Sequence, residues 1–184
     1  MLKKAAFIDR DGTINVEKGY VHRIEDFEFL PGALDALRLF SEHNIALYVL
    51  TNQAGIAKGY YTEEQFQIIT DHMLRVCESA NIKIDKVLYC PHHPDGVVPG
   101  YAIPCKCRKP NTLLIEQVIA KNDYSIRDLV LIGDKKSDID AGTALGMDTY
   151  LVLTGYGREQ RSSTAPTQVA ADLLAAARHI VGVC

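Results

Sequence analysis

Asp9 and Asp11 stand on either side of Arg10 and run into Gly12 and Thr13, directly after the apolar residues Ala5, Ala6, Phe7 and Ile8. Thr51 with Asn52, Arg108 with Lys109, and Asp134 lie further along, the first pair and Asp134 each closing another apolar run. Carboxylates, a hydroxyl and cations brought to one place suit phosphoryl transfer assisted by a divalent metal. Oxygen ligands from Asp9 and Asp134, with a backbone carbonyl near Asp11 and waters, match Mg²⁺, which takes few protein ligands and keeps much of its own water. Thr51 and Lys109 can hold phosphoryl oxygens where negative charge builds. Asp9 is then placed to attack phosphorus in line and form an acyl phosphate. Asp11 can protonate the leaving alkoxide and later take a proton from the attacking water. Alone, Asp11-Gly12 is an ordinary turn; the string from Asp9 to Thr13 after a buried run carries the chemistry.

A second group is soft. Cys90-Pro91-His92-His93 and Cys105-Lys106-Cys107 supply thiolate and imidazole ligands from two short segments. That is the Cys₃His donor set of a closed, structural Zn²⁺ site. His92 is the expected ligand, because Cys-x-His mirrors Cys-x-Cys across the gap, and His93 is expected to be exposed. Cys77, inside a helical stretch, and Cys184, the last residue, are assigned no role.

Strands must deliver these groups. Four apolar residues without polar alternation predict a strand at 5–8 that is buried on both faces, with ligands beyond its carboxyl end. Residues 45–50, 84–89, 129–134 and 149–153 read as further strands, several ending in polar groups. Pro31-Gly32 opens a helix to about His43, and Thr62 with Gln65 forms a capping box for a helix to about Ser79. Further helices are expected over 112–122, 138–145 (closed by Gly146) and about 167–181. Residues 14–29 read as a loop or short hairpin over the strand ends, and 90–110 has no regular period. Alternating strands and helices predict an α/β fold with a doubly wound parallel sheet. A single domain is expected over 1–184, with a zinc-binding loop at 90–110. The intervals between motifs are too short for a separate cap domain, so the site should be open.

The chain has 184 residues and a formal net charge of −3, with its Lys and Arg scattered. That length suits one domain with a sizeable core, and the charge offers no broad basic surface for nucleic acid. No long apolar segment follows the basic pair near the N-terminus, so neither a signal peptide nor a membrane span is expected, and the chain reads as cytoplasmic and monomeric. In a reducing compartment its cysteines are better read as thiols or metal ligands than as a disulfide framework.

In this order, Asp9 to Thr13, Thr51-Asn52, Lys109, and Gly133 to Asp138 resemble the four motifs of the haloacid dehalogenase superfamily of phosphatases, over essentially the whole chain. Residues 15–20, Thr51 to Ile56 and Cys107 to Pro110 further resemble its histidinol-phosphatase-like family, which includes sugar-bisphosphate phosphatases. The resemblance implies Asp9 as nucleophile, Asp11 as general acid and base, and Mg²⁺ on Asp9, Asp11 and Asp134. It places Thr51, Arg108 and Lys109 around the phosphate, and Glu17, Lys18, Gly19, Tyr20, Asn52, Gln53, Ala54 and Lys135 against a small sugar-phosphate substrate. It points to the same zinc ligands, Cys90, His92, Cys105 and Cys107. The sequence departs from the family at Glu17-Lys18, where an acid followed by His is usual, and at Asn111 to Leu113, where Pro-Gly is usual.

Histidinol phosphate is the rival substrate for the same motifs, and a nucleic-acid 3′-phosphatase is a more distant one. A receiver-like signalling module would also place an acid, Thr and Lys on such a sheet, but it keeps its phosphoacceptor apart from its acidic pair, whereas Asp9 and Asp11 share one strand end. A non-catalytic zinc-stabilised domain would leave the phosphate motifs unexplained.

Overall fold

The run 5–8 is apolar throughout because both faces of its strand are covered. In the computed structural model, which describes residues 4–183, Ala6 and Ile8 face one helical layer and Ala5 and Phe7 face the other. The strands are β1 (Lys4–Ile8), β2 (Ile45–Asn52), β3 (Lys86–Cys90), β4 (Leu129–Gly133), β5 (Asp148–Val152) and β6 (Gln168–Ala170). The helices are α1 (Ala33–Glu42), α2 (Ala54–Ala57), α3 (Glu63–Ser79), α4 (Leu113–Asn122), α5 (Lys136–Leu145), α6 (Gly157–Gln160) and α7 (Leu173–Val181).

All strand pairs are parallel, in the order β3-β2-β1-β4-β5-β6. Leu37 and Phe40 of α1, Met73 and Cys77 of α3, and Ala176 and Ala177 of α7 fill one side. Ile115 and Val118 of α4 and Ala141 of α5 fill the other. Each large side chain buried there, such as Phe7 or Phe40, contributes roughly 1.5–3 kcal/mol. The chain leaves β1 toward β2 and β3, then returns to build β4 on the other side of β1. That reversal opens a crevice beyond the carboxyl ends of β1 and β4, where doubly wound sheets bind ligands.

The expected order of elements holds, with local corrections. Thr62 and Gln65 form the reciprocal capping box that starts α3. The strand expected from residue 84 begins at Lys86, because Asp85 turns its carboxylate back to the Leu47 backbone N–H instead of continuing the run. The helix expected from Asp138 begins at Lys136, with the Asp138 carboxylate accepting from the Lys135 N–H. The last helix was expected from 167; residues 168–170 instead add β6 to the sheet, and α7 starts after Asp172, whose side chain caps it. Cys77 is buried in α3, and Cys184 lies outside the described residues.

Candidate active site and metal centres

The ladder between β1 and β4 continues one step past β1, where the Asp9 N–H donates to the Ile132 carbonyl at 2.9 Å. This aims the Asp9 side chain into the crevice beside Asp134, the first residue after β4. Asp134 is seated between two glycines with positive φ: a Cβ on Gly12 (φ 87°) or on Gly155 (φ 50°) would lie within 2.2 or 2.1 Å of its Oδ2. Neither site can carry a side chain without displacing this carboxylate. The Tyr156 N–H donates to the same oxygen at 2.8 Å.

Asp138, in the first turn of α5, caps that helix and also completes an acid cluster. Oxygens of Asp9, Asp134 and Asp138 lie within 4.8 Å of one another, and all three residues are buried. Lys109 Nζ stands 2.7 Å from Asp9 Oδ1 and 2.6 Å from Asp138 Oδ1, and also donates to the Leu50 carbonyl. Lys135 adds a second positive charge near Asp9 and Asp134, and two ammonium groups still do not balance three carboxylates. Burial, reinforced by the Asp9 charge, pushes Asp134 up to about 8, and burial pushes Asp138 up to about 6 against the pull of Lys109. Asp134 Oδ1 is buried with no hydrogen-bond partner, a costly state for a carboxylate oxygen. Hard oxygen donors, excess negative charge and an unpartnered oxygen together fit a small divalent cation such as Mg²⁺.

Asp11 is in a different environment. Its carboxylate accepts from Arg10 at 2.9 Å, from Asn15 Nδ2 at 3.1 Å and from Gln53 Nε2 at 3.0 Å. Burial would raise it, but the Arg10 charge and these donors outweigh burial and hold it below the usual carboxylate range. Arg10 is 1% exposed, donates also to the Val21 carbonyl, and lies over the Phe66 ring. The Asp11 side chain is outside the acid cluster.

Thr51, Asn52 and Lys109 meet Asp9, Asp11, Lys135, Ser137 and Asp138 around a recess of about 30 Å³. Asn52 exchanges hydrogen bonds of 3.0 Å with both the N–H and the C=O of Lys109, fixing that lysine's backbone. The recess opens through Asp11, Asn52, Lys135 and Ser137 into an outer cavity of about 380 Å³. Glu17, Gly19, Tyr20, Gln53, Ala54, Arg108 and Lys135 line that cavity as expected, joined by Lys58, Tyr61, His93 and Tyr156, which sequence reasoning missed. Lys135 pairs with Glu17 at 3.0 Å and lies over the Tyr156 ring. Arg108 belongs to the outer cavity and not to the recess, whereas Lys109 belongs to the recess. Lys18 does not line the cavity; it pairs with Glu28 at 3.0 Å on the surface.

The soft ligands also converge. Cys90, His92, Cys105 and Cys107 offer donor atoms within 4.8 Å of one another. Cys107 Sγ is 3.1 Å from Cys90 Sγ, and His92 Nδ1 is 3.3 Å from Cys107 Sγ. Three thiols and an imidazole around one point fit Zn²⁺. His93 turns away from this cluster into the outer cavity, where it lies partly buried. The loop reaches the recess and the outer cavity in two ways: it runs on into Arg108 and Lys109, and its Val97 and Val98 N–H groups donate to the Ala57 carbonyl at the end of α2.

A family model described as HAD-hydrolase-like matches residues 106–176. A protein of Photorhabdus laumondii, named D-glycero-alpha-D-manno-heptose-1,7-bisphosphate 7-phosphatase, is 41% identical over 88% of this chain and 89% of its own length. The chain belongs to the haloacid dehalogenase-like phosphatases. The Escherichia coli K12 protein named as the beta-anomer phosphatase is 43% identical over 82% of this chain and 80% of its own. Among solved structures, the heptose 1,7-bisphosphate phosphatase of B. bronchiseptica, complexed with magnesium and phosphate, superposes with a TM-score of 0.87 at 28% identity, covering 97% of this chain and 98% of that one. Among the described residues no helix is long and apolar enough to cross a membrane.

Proposed function

We propose that the chain hydrolyses the 7-phosphate of D-glycero-D-manno-heptose 1,7-bisphosphate through an acyl phosphate on Asp9. The observation that carries this reading is the pair of chambers. The small recess lined by Asp9, Thr51 and Lys109 offers a nucleophile, a hydroxyl and an ammonium to a phosphoryl group at its mouth, and the larger cavity next to it presents Arg108, Lys58 and Lys135 to the rest of an anionic substrate. The names of the relatives at about 40% identity point to the same substrate.

In this mechanism the Lys109 ammonium and the Thr51 hydroxyl hold the phosphoryl oxygens while an Asp9 oxygen attacks phosphorus. Asp138 holds Lys109 in place from the far side. Asp11 gives a proton to the departing sugar oxygen and then removes one from the water that cleaves the Asp9 acyl phosphate. Mg²⁺ held by Asp9, Asp134 and the Asp11 carbonyl would neutralise charge between these acids and the phosphate. Zn²⁺ on Cys90, His92, Cys105 and Cys107 would brace the loop that carries Arg108 and Lys109. The proposal includes one domain over residues 1–184, acting as a monomer in the cytoplasm.

The test is phosphate release from both anomers of the heptose bisphosphate, from histidinol phosphate and from a 3′-phosphorylated oligonucleotide, with Mg²⁺ present. The bisphosphates should give the largest kcat/KM. Faster turnover of histidinol phosphate would move the enzyme to the rival substrate.

A further inference from the structure

Gln53 stands between the two groups on which the proposed chemistry depends. Its Nε2 is 3.0 Å from Asp11 Oδ2 and 2.7 Å from Thr51 Oγ1, so both amide hydrogens are committed to them. An ionised carboxylate can only accept, so the amide must face Asp11 with its NH₂. The amide oxygen therefore points the other way, into the protein, and Gln53 is only 2% exposed. There the Tyr61 hydroxyl donates to it at 2.5 Å.

Tyr61 is built into this position. It is 4% exposed, and the His22 ring stacks on it at 5.0 Å with the planes 7° apart. Gly55 leaves the space the ring occupies: a Cβ there would fall 2.1 Å from Cε1. Burial pushes the Tyr61 hydroxyl well above its ordinary range, so it stays a protonated donor. Thr51 Oγ1, accepting from Gln53, keeps its own hydrogen for an acceptor in the recess.

We propose that Tyr61 is a positioning residue: through Gln53 it fixes the Asp11 carboxyl group for proton transfer to the departing sugar oxygen. The inference rests on the role given above to Asp11. Asp11, ionised in the free protein, takes up a proton from solvent as the phosphate dianion enters beside it. In the first step the bond from an Asp9 oxygen to phosphorus then forms, the bond from phosphorus to the sugar oxygen breaks, and that proton goes to the sugar oxygen, leaving Asp11 ionised again. An aryl oxide, by contrast, leaves as a stable anion without that proton.

The experiment is rapid-quench measurement of Asp9 phosphorylation by heptose 1,7-bisphosphate and by p-nitrophenyl phosphate in the Mg²⁺-loaded protein. Tyr61→Phe removes one hydroxyl and keeps the ring. It should slow phosphorylation by the bisphosphate about 3- to 10-fold, the weight of one hydrogen bond, with KM within about twofold. The aryl ester should slow by less than about twofold, because it does not need the proton. Gly55→Ala, which keeps the hydroxyl but drives the ring aside, should reproduce the same split. Equal slowing of both esters in Tyr61→Phe, or no slowing of either, would overturn the proposal. Asp11→Asn separates the two levels: if it shows the leaving-group split and Tyr61→Phe does not, Tyr61 fails alone, and if Asp11→Asn shows none, the acid role of Asp11 fails as well.

Discussion

The thiolate cluster and the carboxylate cluster are both crowded sets of metal-type ligands, yet they are assembled in opposite ways. Cys90 ends β3 and His92, Cys105 and Cys107 lie on the loop that follows it, and together they present four donors to one point, leaving no vacant direction at a tetrahedral ion. Asp9, Asp134 and Asp138 come from two strand ends and a helix, share a lysine that is itself buried, and border an open recess. A closed set of soft ligands contributes folding energy. An open set of hard ligands, left with more negative charge than its lysines balance, invites a cation and an anionic substrate together. The two are coupled, because the loop that holds the first ends in the arginine and lysine that serve the second.

The largest effect expected from breaking this arrangement is loss of zinc. The protein should carry about one zinc per chain, and Cys105→Ser should lose it together with several kcal/mol of stability, since structural zinc binding is folding energy. Zinc analysis with thermal unfolding checks this. Retention of wild-type zinc in a Cys90, Cys105 double variant would place the ligands elsewhere, and full turnover on Zn²⁺ without Mg²⁺ would remove the distinction between the clusters.

A smaller effect falls on the chamber between them. Arg108 lines the outer cavity, with its guanidinium 3.4 Å from the His92 carbonyl, where it is placed to meet the phosphate that does not react. Arg108→Ala should lower kcat/KM for the 1,7-bisphosphate by roughly 10- to 100-fold, the kinetic equivalent of one charge-assisted contact. The 7-monophosphate should lose far less. Equal losses would put Arg108 at the reacting phosphate.

The smallest is a dependence of metal stabilisation on pH. Asp134 is raised from the ordinary carboxylate range to about 8, so the folded metal-free protein binds a proton there that the unfolded chain has released. Its contribution to stability is full below the ordinary carboxylate pKa and is lost as pH rises toward 8. A cation replaces that proton, so Mg²⁺ should raise Tm more at pH 8 than at pH 5.5. Equal shifts at the two pH values would mean that the acids do not share the ion.

The clustering of Cys90, His92, Cys105 and Cys107 was legible because they lie close together in sequence, and the choice of His92 over His93 followed from their spacing. Asp9, Thr51 and Asp134 were legible because each closes or follows an apolar run, and a buried strand end has few places to put a polar group. Asp138 was not legible. Its burial depends on Lys109, twenty-nine positions earlier, and on the missing side chain of Gly133, where a Cβ would lie 2.2 Å from its carboxylate. The same holds for Tyr61, whose place is set by the gap at Gly55, and for His93, whose direction is set by the fold of the zinc loop. Strand β6 escaped notice because three residues at a sheet edge, two of them exposed, carry no periodicity to read.

The account turns on Asp9 and Asp11 having different work despite sharing one strand end. Rapid-quench labelling with an activated aryl phosphate separates them. Asp11→Asn keeps the nucleophile, so the label should appear on Asp9 and persist, because the base that activates water is gone. Asp9→Asn should take no label and turn over no substrate. Equal labelling of the two variants would contradict the assignment.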